Sequence, residues 1–215
     1  MCNTAIVIGA TGLVGRALID QLADADHIGK VFTLTRRPAE HSCSKVHNQV
    51  VDFDHLEYYA SSFKADLLFS CLGTTRKQAG SIAAQRKVDL DYQYKAAQLA
   101  ANHGVRHYLV VSSSNANINS NNSYLQMKGE LEQRVQTLPF NRISIFQPSL
   151  LLGQRLNFRM REKLGSWILP VLCTIPGLRR FRPITGEQVA AKMVQVSQQP
   201  GHSIEWFRLD EIFIK

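Results

Sequence analysis

The sequence predicts an α/β protein built on a parallel sheet wound on both faces. Three observations carry this. Short β-branched runs alternate with longer stretches whose apolar residues recur at helical spacing, the pattern of successive βαβ units. The runs "DLLFSCL", "YLVVS" and "ISIF" are apolar almost without a break, which suits strands covered on both sides rather than strands with one wet face. At 215 residues, with 45% hydrophobic and 20% charged residues, the chain is long enough for one well-cored domain but short for two.

Taken in order, the strands are expected at Ala5–Ile8, Val31–Thr35, Gln49–Val51, Asp66–Cys71, Tyr108–Ser112 and Arg142–Phe146. Helical periodicity lies between them at Leu13–Leu22, Ser81–Asn102 and Tyr124–Thr137. After Gly153 the rhythm breaks into a basic stretch and an apolar piece interrupted by Pro170 and Pro176. A helix near Glu187–Ser197 and a strand near Ser203–Arg208 complete the chain. The tract "SSSNANINSNNS" at 112–123 reads as a polar loop.

The net charge of +8 is concentrated rather than spread. Between Arg155 and Arg182 stand seven Lys or Arg against the single acid Glu162. A lid over an apolar substrate, a basic cleft, or peripheral contact of 155–182 with acidic lipid headgroups are the functional readings; a small packing element with solvated arginines is the plain one. Two prolines and insufficient length exclude a membrane span there. No nucleic-acid-binding motif is recognised, so a specific nucleic-acid partner is not expected. The four cysteines are scattered, without metal-ligand spacing, so neither a disulfide framework nor a metal site is expected. The N-terminus lacks a basic segment followed by an apolar one, and a cytoplasmic location is expected.

The segment Gly9-Ala10-Thr11-Gly12-Leu13-Val14-Gly15 follows the first strand and opens the first helix. Glycines at G-x-x-G-x-x-G spacing permit a tight turn and close backbone approach, while the helix N-terminus presents free N–H groups to a pyrophosphate. This points to dinucleotide binding. A fold specific for NAD usually ends its second strand with an acid for the ribose 2′-hydroxyl. Here "LTRRP" puts Thr35, Arg36 and Arg37 at that place, and guanidinium groups suit a 2′-phosphate, so NADP(H) is the expected cofactor. Asp52 and Phe53 in "VVDFD" are expected beside the adenine. Leu72, Gly73 and Thr74 in "CLGTT" are expected where the backbone passes close to the cofactor.

Tyr124 and Lys128 form a Y-x-x-x-K, and on a helix positions i and i+4 share a face, so both can point into one cleft. Ser123 followed by Gln126 resembles a capping box that starts this helix. A phenol with a reference pKa of about 10 is a poor acid–base catalyst near neutrality, and a neighbouring ammonium favours its ionised form. Upstream, Ser112, Ser113 and Ser114 end the fifth strand and offer a hydroxyl to a substrate carbonyl oxygen, with one position of uncertainty in which of them does so.

Together "GATGLVG", "VVSS", Tyr124/Lys128 and "FQPSLLLG" (146–153) resemble the atypical members of the short-chain dehydrogenase/reductase superfamily, and "SYLQMKGELEQRV" is similar to the Tat-interacting protein family and its bacterial relatives. The resemblance covers about residues 4 to 153 and continues more loosely beyond. It implies a single NAD(P)-binding Rossmann domain over 1–215, with 154–185 as a basic and apolar substrate-side insertion. It also implies a small-molecule carbonyl or alcohol substrate for a monomer or homodimer. Tyr124 would exchange the proton, Lys128 would hold the nicotinamide ribose, Ser113 would orient the substrate and Pro148 would pass the nicotinamide. Where the family has Arg-Pro, this chain has Gln147-Pro148. Members that bind the cofactor without turnover exist, so a nucleotide sensor or scaffold is the rival expectation.

Overall fold

The computed structural model describes residues 2–152 and 179–214. Seven parallel strands form one sheet: β1 (Asn3–Ile8), β2 (Ile28–Thr35), β3 (Val46–Val50), β4 (Leu67–Ser70), β5 (His107–Val111), β6 (Arg142–Gln147) and β9 (Ile204–Arg208), in the order β3-β2-β1-β4-β5-β6-β9. This is a Rossmann-type doubly wound sheet, with winding that reverses between β1 and β4. Burial explains the near-continuous apolar strands. Along β1, Ala5 and Val7 face one cluster with Leu18, Leu22, Phe146, Val189 and Met193. Ile6 and Ile8 face the other, with Leu68, Tyr108, Ala96, Ala100 and Leu131. Period-two alternation survives, but both of its phases are dry.

Helices α1 (Leu13–Asp24) and α6 (Gly186–Gln198) cover the first face. The second is covered by α4 (Tyr92–Asn102), α5 (Ser123–Val135) and a 3-10 segment, Phe53–Phe63, which the sequence reading left unassigned. Two further departures bear on the site. The helix expected at Ser81–Asn102 runs continuously over 82–102 but contains a π turn (Lys87–Asp91) between α3 (Ile82–Arg86) and α4, and the short α2 (Arg76–Ala79) precedes it. No proline or glycine stands in the π turn, and Asp89 within it is wholly buried, 3.5 Å from Lys128 Nζ. The third strand begins earlier than expected, at Val46, since backbone pairing with β2 rather than hydrophobicity fixes it.

A two-stranded parallel ladder joins β7 (Leu151–Leu152) to β8 (Ile184–Thr185). Most of the expected insertion at 154–185, and with it the basic stretch, lies outside the described residues.

Strands β5, β6 and β9 hold a polar relay near their N-terminal ends. His107 Nε2 lies 2.8 Å from Ser144 Oγ, whose hydroxyl donates to Glu205 Oε1 at 2.7 Å, and Arg142 Nε donates to the same oxygen at 2.7 Å. Burial, aided by the Arg142 charge, pushes the His107 imidazole down to about 3. The unfolded chain therefore takes up a proton near pH 6.5 that the native state refuses until about pH 3. Stability from this residue is complete above pH 6.5 and is lost at about 1.4 kcal/mol per pH unit as pH falls toward 3. Urea unfolding at pH 7 and pH 5 should show this loss in the wild type and largely abolish it in His107→Gln. Equal slopes in both proteins would remove His107 as the cause.

Candidate active site

Strand β1 delivers the chain into the glycine loop. Cys71 N donates to Ile8 O at 2.9 Å, so the ends of β1 and β4 lie side by side where the winding reverses. Gly9 takes φ +79°, and a Cβ there would stand 2.3 Å from the Cys71 carbonyl carbon. Gly12 N donates to Gly9 O at 2.9 Å and closes the turn. Gly15 packs its bare Cα against the same carbonyl, where a Cβ would come within 2.2 Å. The helix N-terminus is left uncapped by any side chain at Gly12, which leaves its N–H groups open to an anion.

These residues border a cavity of about 710 Å³ lined by Gly9, Thr11, Gly12, Arg36, Arg37, Phe53, Leu72, Gly73, Thr74, Lys87, Val88 and Tyr92 among others. Leu13, Val14 and Gly15 stand behind it rather than in its wall. Val14 is part of the core, and Leu13 presses its backbone on α6, where a Cβ at Gly186 would come within 2.7 Å of Leu13 O. Their spacing belongs to the loop motif; the side chains of Leu13 and Val14 pack, while Gly15 leaves room for the Gly9 carbonyl.

Asn48 of β3 holds the arginine turn. Its Nδ2 donates to Thr33 Oγ1 and Thr35 Oγ1, each at 2.8 Å, and its Oδ1 accepts from Ala39 N at 3.0 Å; Thr35 Oγ1 donates to Arg37 O at 2.7 Å. Arg36 and Arg37 thus project, exposed, from a fixed backbone. Asp52 is not among the residues lining the cavity. Its carboxylate accepts from Asp54 N at 2.9 Å and starts the 3-10 segment, because a free N–H two residues on is the nearer donor. Phe53 does line the cavity, tilted against Tyr92 with centroids 5.5 Å apart. Tyr92 O–H donates to Asp54 Oδ1 at 2.6 Å, and Lys87 Nζ pairs with that oxygen at 2.5 Å. The Lys87 bond, then the Tyr92 bond, hold the Asp54 carboxyl below the usual carboxylate range.

Helix α5 carries Tyr124 and Lys128, and Asn122 starts it: Asn122 Oδ1 accepts from Tyr124 N at 3.0 Å and Leu125 N at 3.3 Å. The expected Ser123 capping box is therefore absent, displaced by a side chain one residue earlier that reaches both N–H groups. The 115–122 loop crosses α5 at Gly129, where a Cβ would stand 2.4 Å from the Asn117 carbonyl carbon. Close approach fixes the path from the strand-end serines to Tyr124. Ser112 is buried, its hydroxyl donating to Glu132, so it is spent on structure. Ser113 keeps only a long contact to Ser114 O at 3.4 Å and is the freer hydroxyl.

Gln147, where the family has arginine, donates to both Glu132 oxygens at 2.9 and 3.0 Å and accepts from Arg208 Nε at 3.2 Å. It binds β6 to α5. Pro148 O accepts from Ser114 N at 3.1 Å and joins the following turn to the end of β5. Burial raises the Glu132 carboxyl, while Gln147 and Ser112 draw it back.

Ser113, Tyr124, Lys128 and Pro148 are not among the residues lining the 710 Å³ cavity. Lys128 lies at i+4 from Tyr124 on α5, as expected, but its ammonium is buried. It is 2% exposed, donates from Nζ to Val111 O at 3.3 Å, and stands 3.5 Å from Asp89 Oδ1, a partner that draws it inward. Asp89, Asn48 and Glu132 were missed in the sequence, where each stands among other polar residues that nothing local distinguishes from it. The one signal for Asp89 is its i, i+4 spacing to Gln93, whose Nε2 donates to Asp89 O at 2.8 Å.

A glycine loop on the first strand of a doubly wound sheet, with Tyr and Lys one turn apart beyond the fifth, defines a protein of the short-chain dehydrogenase/reductase type. The chain belongs to the NAD dependent epimerase/dehydratase family, whose model matches residues 5–207. Protein HTATIP2 of Rattus norvegicus is 38% identical over 170 residues, 77% of this chain and 68% of that protein. Protein FMP52, mitochondrial, of Debaryomyces hansenii is 34% identical over 203 residues, 92% of this chain and 88% of that one. A short-chain dehydrogenase/reductase superfamily protein from Agrobacterium tumefaciens, solved with bound NAD, superposes with a TM-score of 0.71 at 13% identity, over 96% of this chain and 77% of that one. The fungal relatives carry "mitochondrial" in their names, which overturns the cytoplasmic expectation; the missing leader pattern was a weak ground for it.

Proposed function

We propose that the protein is an NADP(H)-dependent oxidoreductase acting on a small carbonyl or alcohol. The observation that carries this is the cavity itself, which runs from the uncapped glycine loop to the clamped arginine turn. The residues fit a dinucleotide: Gly9 and Gly12 leave bare backbone at the turn, and Arg36 and Arg37 line the cavity with guanidinium groups whose paired donors suit a 2′-phosphate. The nicotinamide, when bound, supplies or accepts the hydride at the substrate carbon. Tyr124 gives the matching proton to the carbonyl oxygen, or takes it from the alcohol, and Ser113 donates a hydrogen bond to that oxygen. Carbonyl, reduced cofactor and proton on one side thus balance alcohol and oxidised cofactor on the other.

Arg36→Ala should weaken NADPH by about 1.5–3 kcal/mol, roughly ten- to a hundredfold, with NADH nearly unaffected. Fluorescence titration with both nucleotides measures it, and equal weakening of the two removes the 2′-phosphate argument. A panel of small carbonyl compounds with NADPH, followed by absorbance, tests the activity. One observation favours a second reading, a nucleotide-sensing protein: Tyr124 and Lys128 stand outside the described cavity wall, so binding is separable from chemistry. Tight NADPH binding with no turnover across the panel supports that reading instead.

A further inference from the structure

Three cations line the nucleotide cavity, and two of them, Arg36 and Arg37, belong to the clamped turn after β2. The third is Lys87, from the other side of the chain's π turn, and among the described residues no Asp or Glu lines the cavity. The Lys87 ammonium is held by Asp54, which is not itself a lining residue. Lys87 Nζ lies 2.5 Å from Asp54 Oδ1, and Tyr92 O–H donates to the same oxygen at 2.6 Å. The sheet tells which end of the cavity this is. Strands β2 and β3 are paired as far as Thr35 and Val50, and Val51 N donates to Thr35 O at 2.9 Å. The Arg36–Arg37 turn and the Phe53–Asp54 segment therefore leave neighbouring strand ends together. The glycine loop leaves β1, which is separated from β3 by β2. Asp54 thus ties Lys87 to the arginine end of the cavity rather than to the glycine loop.

The pair is a loose one. The Lys87 and Asp54 side chains are 51% and 44% exposed, and ion pairs so open to water hold weakly. A phosphate monoester carries about −1.5 to −2 charges near neutral pH, so it attracts an ammonium more strongly than one carboxylate does at the same distance. Lysine suits such an exchange, being a compact charge on a flexible four-carbon stem. Asp54 does not lose its last partner when the ammonium leaves, because the Tyr92 O–H stays on Oδ1. The neighbouring acid Glu57 does not take its place, lying 3.9 Å from Lys95 Nζ and 3.9 Å from His55 Nδ1 instead. Asp54 is therefore a competitor for a cation that the cavity can use.

We propose that Lys87 is a third cation for the adenosine 2′-phosphate and that Asp54 competes with that phosphate for it, so that the Asp54–Lys87 pair restrains NADP(H) binding. This rests on the NADP(H) reading above. It carries an unusual sign: removing the acid should strengthen binding. A four-protein cycle tests it, with wild type, Asp54→Asn, Lys87→Met and the double variant each titrated with NADPH and NADH and each melted. Asn keeps an acceptor for the Tyr92 O–H and removes the charge, and Met keeps the length of the lysine stem without its ammonium.

Lys87→Met should weaken NADPH about fivefold and NADH less than about twofold. Asp54→Asn should tighten NADPH about threefold when Lys87 is present, and by less than about 1.5-fold in the Lys87→Met background. A pair that merely braces the wall predicts the opposite sign, with both nucleotides weakened and the melting temperature lowered in Asp54→Asn. Unchanged or weaker NADPH binding in Asp54→Asn therefore overturns the inference. So does an equal gain in both backgrounds, which long-range charge alone would give, and so does a Lys87→Met loss shared equally by NADPH and NADH, which would put the lysine on the pyrophosphate. Wild type that binds neither nucleotide, or binds both alike, overturns the NADP(H) reading and this inference with it. Any of the earlier failures in a protein that prefers NADPH overturns the inference alone.

Discussion

Gly9→Ala should destabilise the protein by about 3–5 kcal/mol and eliminate nucleotide binding in whatever fraction remains folded. Two costs add. At φ +79° an L-residue sits in the left-handed region, worth about 1–2 kcal/mol. The new methyl would also stand 2.3 Å from the Cys71 carbonyl carbon and 2.5 Å from Leu72 N. Those atoms are backbone, and Cys71 N is hydrogen-bonded to Ile8 O at 2.9 Å, so the wall cannot retreat without separating β1 from β4. Gly104 provides the control. It has φ +81° but open space where a Cβ would go, so Gly104→Ala should show the backbone cost alone. Urea unfolding of both variants reads the difference, and equal destabilisation would mean that the close approach at Gly9 contributes nothing.

The comparison of these glycines also marks how far the sequence can be read. The loop at 9–15 is legible because its physics is local: a strand, a turn that needs bare backbone, and a helix follow one another in the chain. The strands are legible for the same reason, since burial of both faces shows in each run by itself. Features made by distant partners are not. Asn48 looks like a polar residue in a weak edge strand, and only pairing with β2 brings it to Thr33, Thr35 and Ala39. Asp89 lies in "KVDLDYQ", which reads as plain helix, and the π turn there and its buried partners Lys128, 39 residues on, and Thr74 leave no local mark. Ser112 and Ser113 are indistinguishable in "VVSSS"; Glu132 and Gln147, from two other elements, separate them. The Gln147 departure from the family's arginine likewise has its account only once Glu132 and Arg208 stand beside it.

Tyr124→Phe should reduce carbonyl turnover with NADPH by about a hundredfold or more, the usual range for loss of a positioned proton donor, while leaving stability and NADPH affinity close to wild type. The structure gives grounds for so clean a separation. Tyr124 is half-buried at the start of α5, and among the described residues its hydroxyl makes no hydrogen bond. Removing it leaves no buried partner unsatisfied. Its backbone is held independently, by Asn122 at the N–H and by the tight crossing of the 115–122 loop over Gly129, so the phenylalanine ring should occupy the same place. The cavity wall from Gly9 to Arg37 does not include it, so nucleotide binding has no reason to change. What is lost is the proton at the substrate oxygen. Water can replace it only without the orientation that the helix provides. Steady-state rates, a melting curve and an NADPH titration on the same preparation decide the case: unchanged turnover would exclude Tyr124 as the proton donor, and a fall matched by loss of stability or affinity would show that its role is structural.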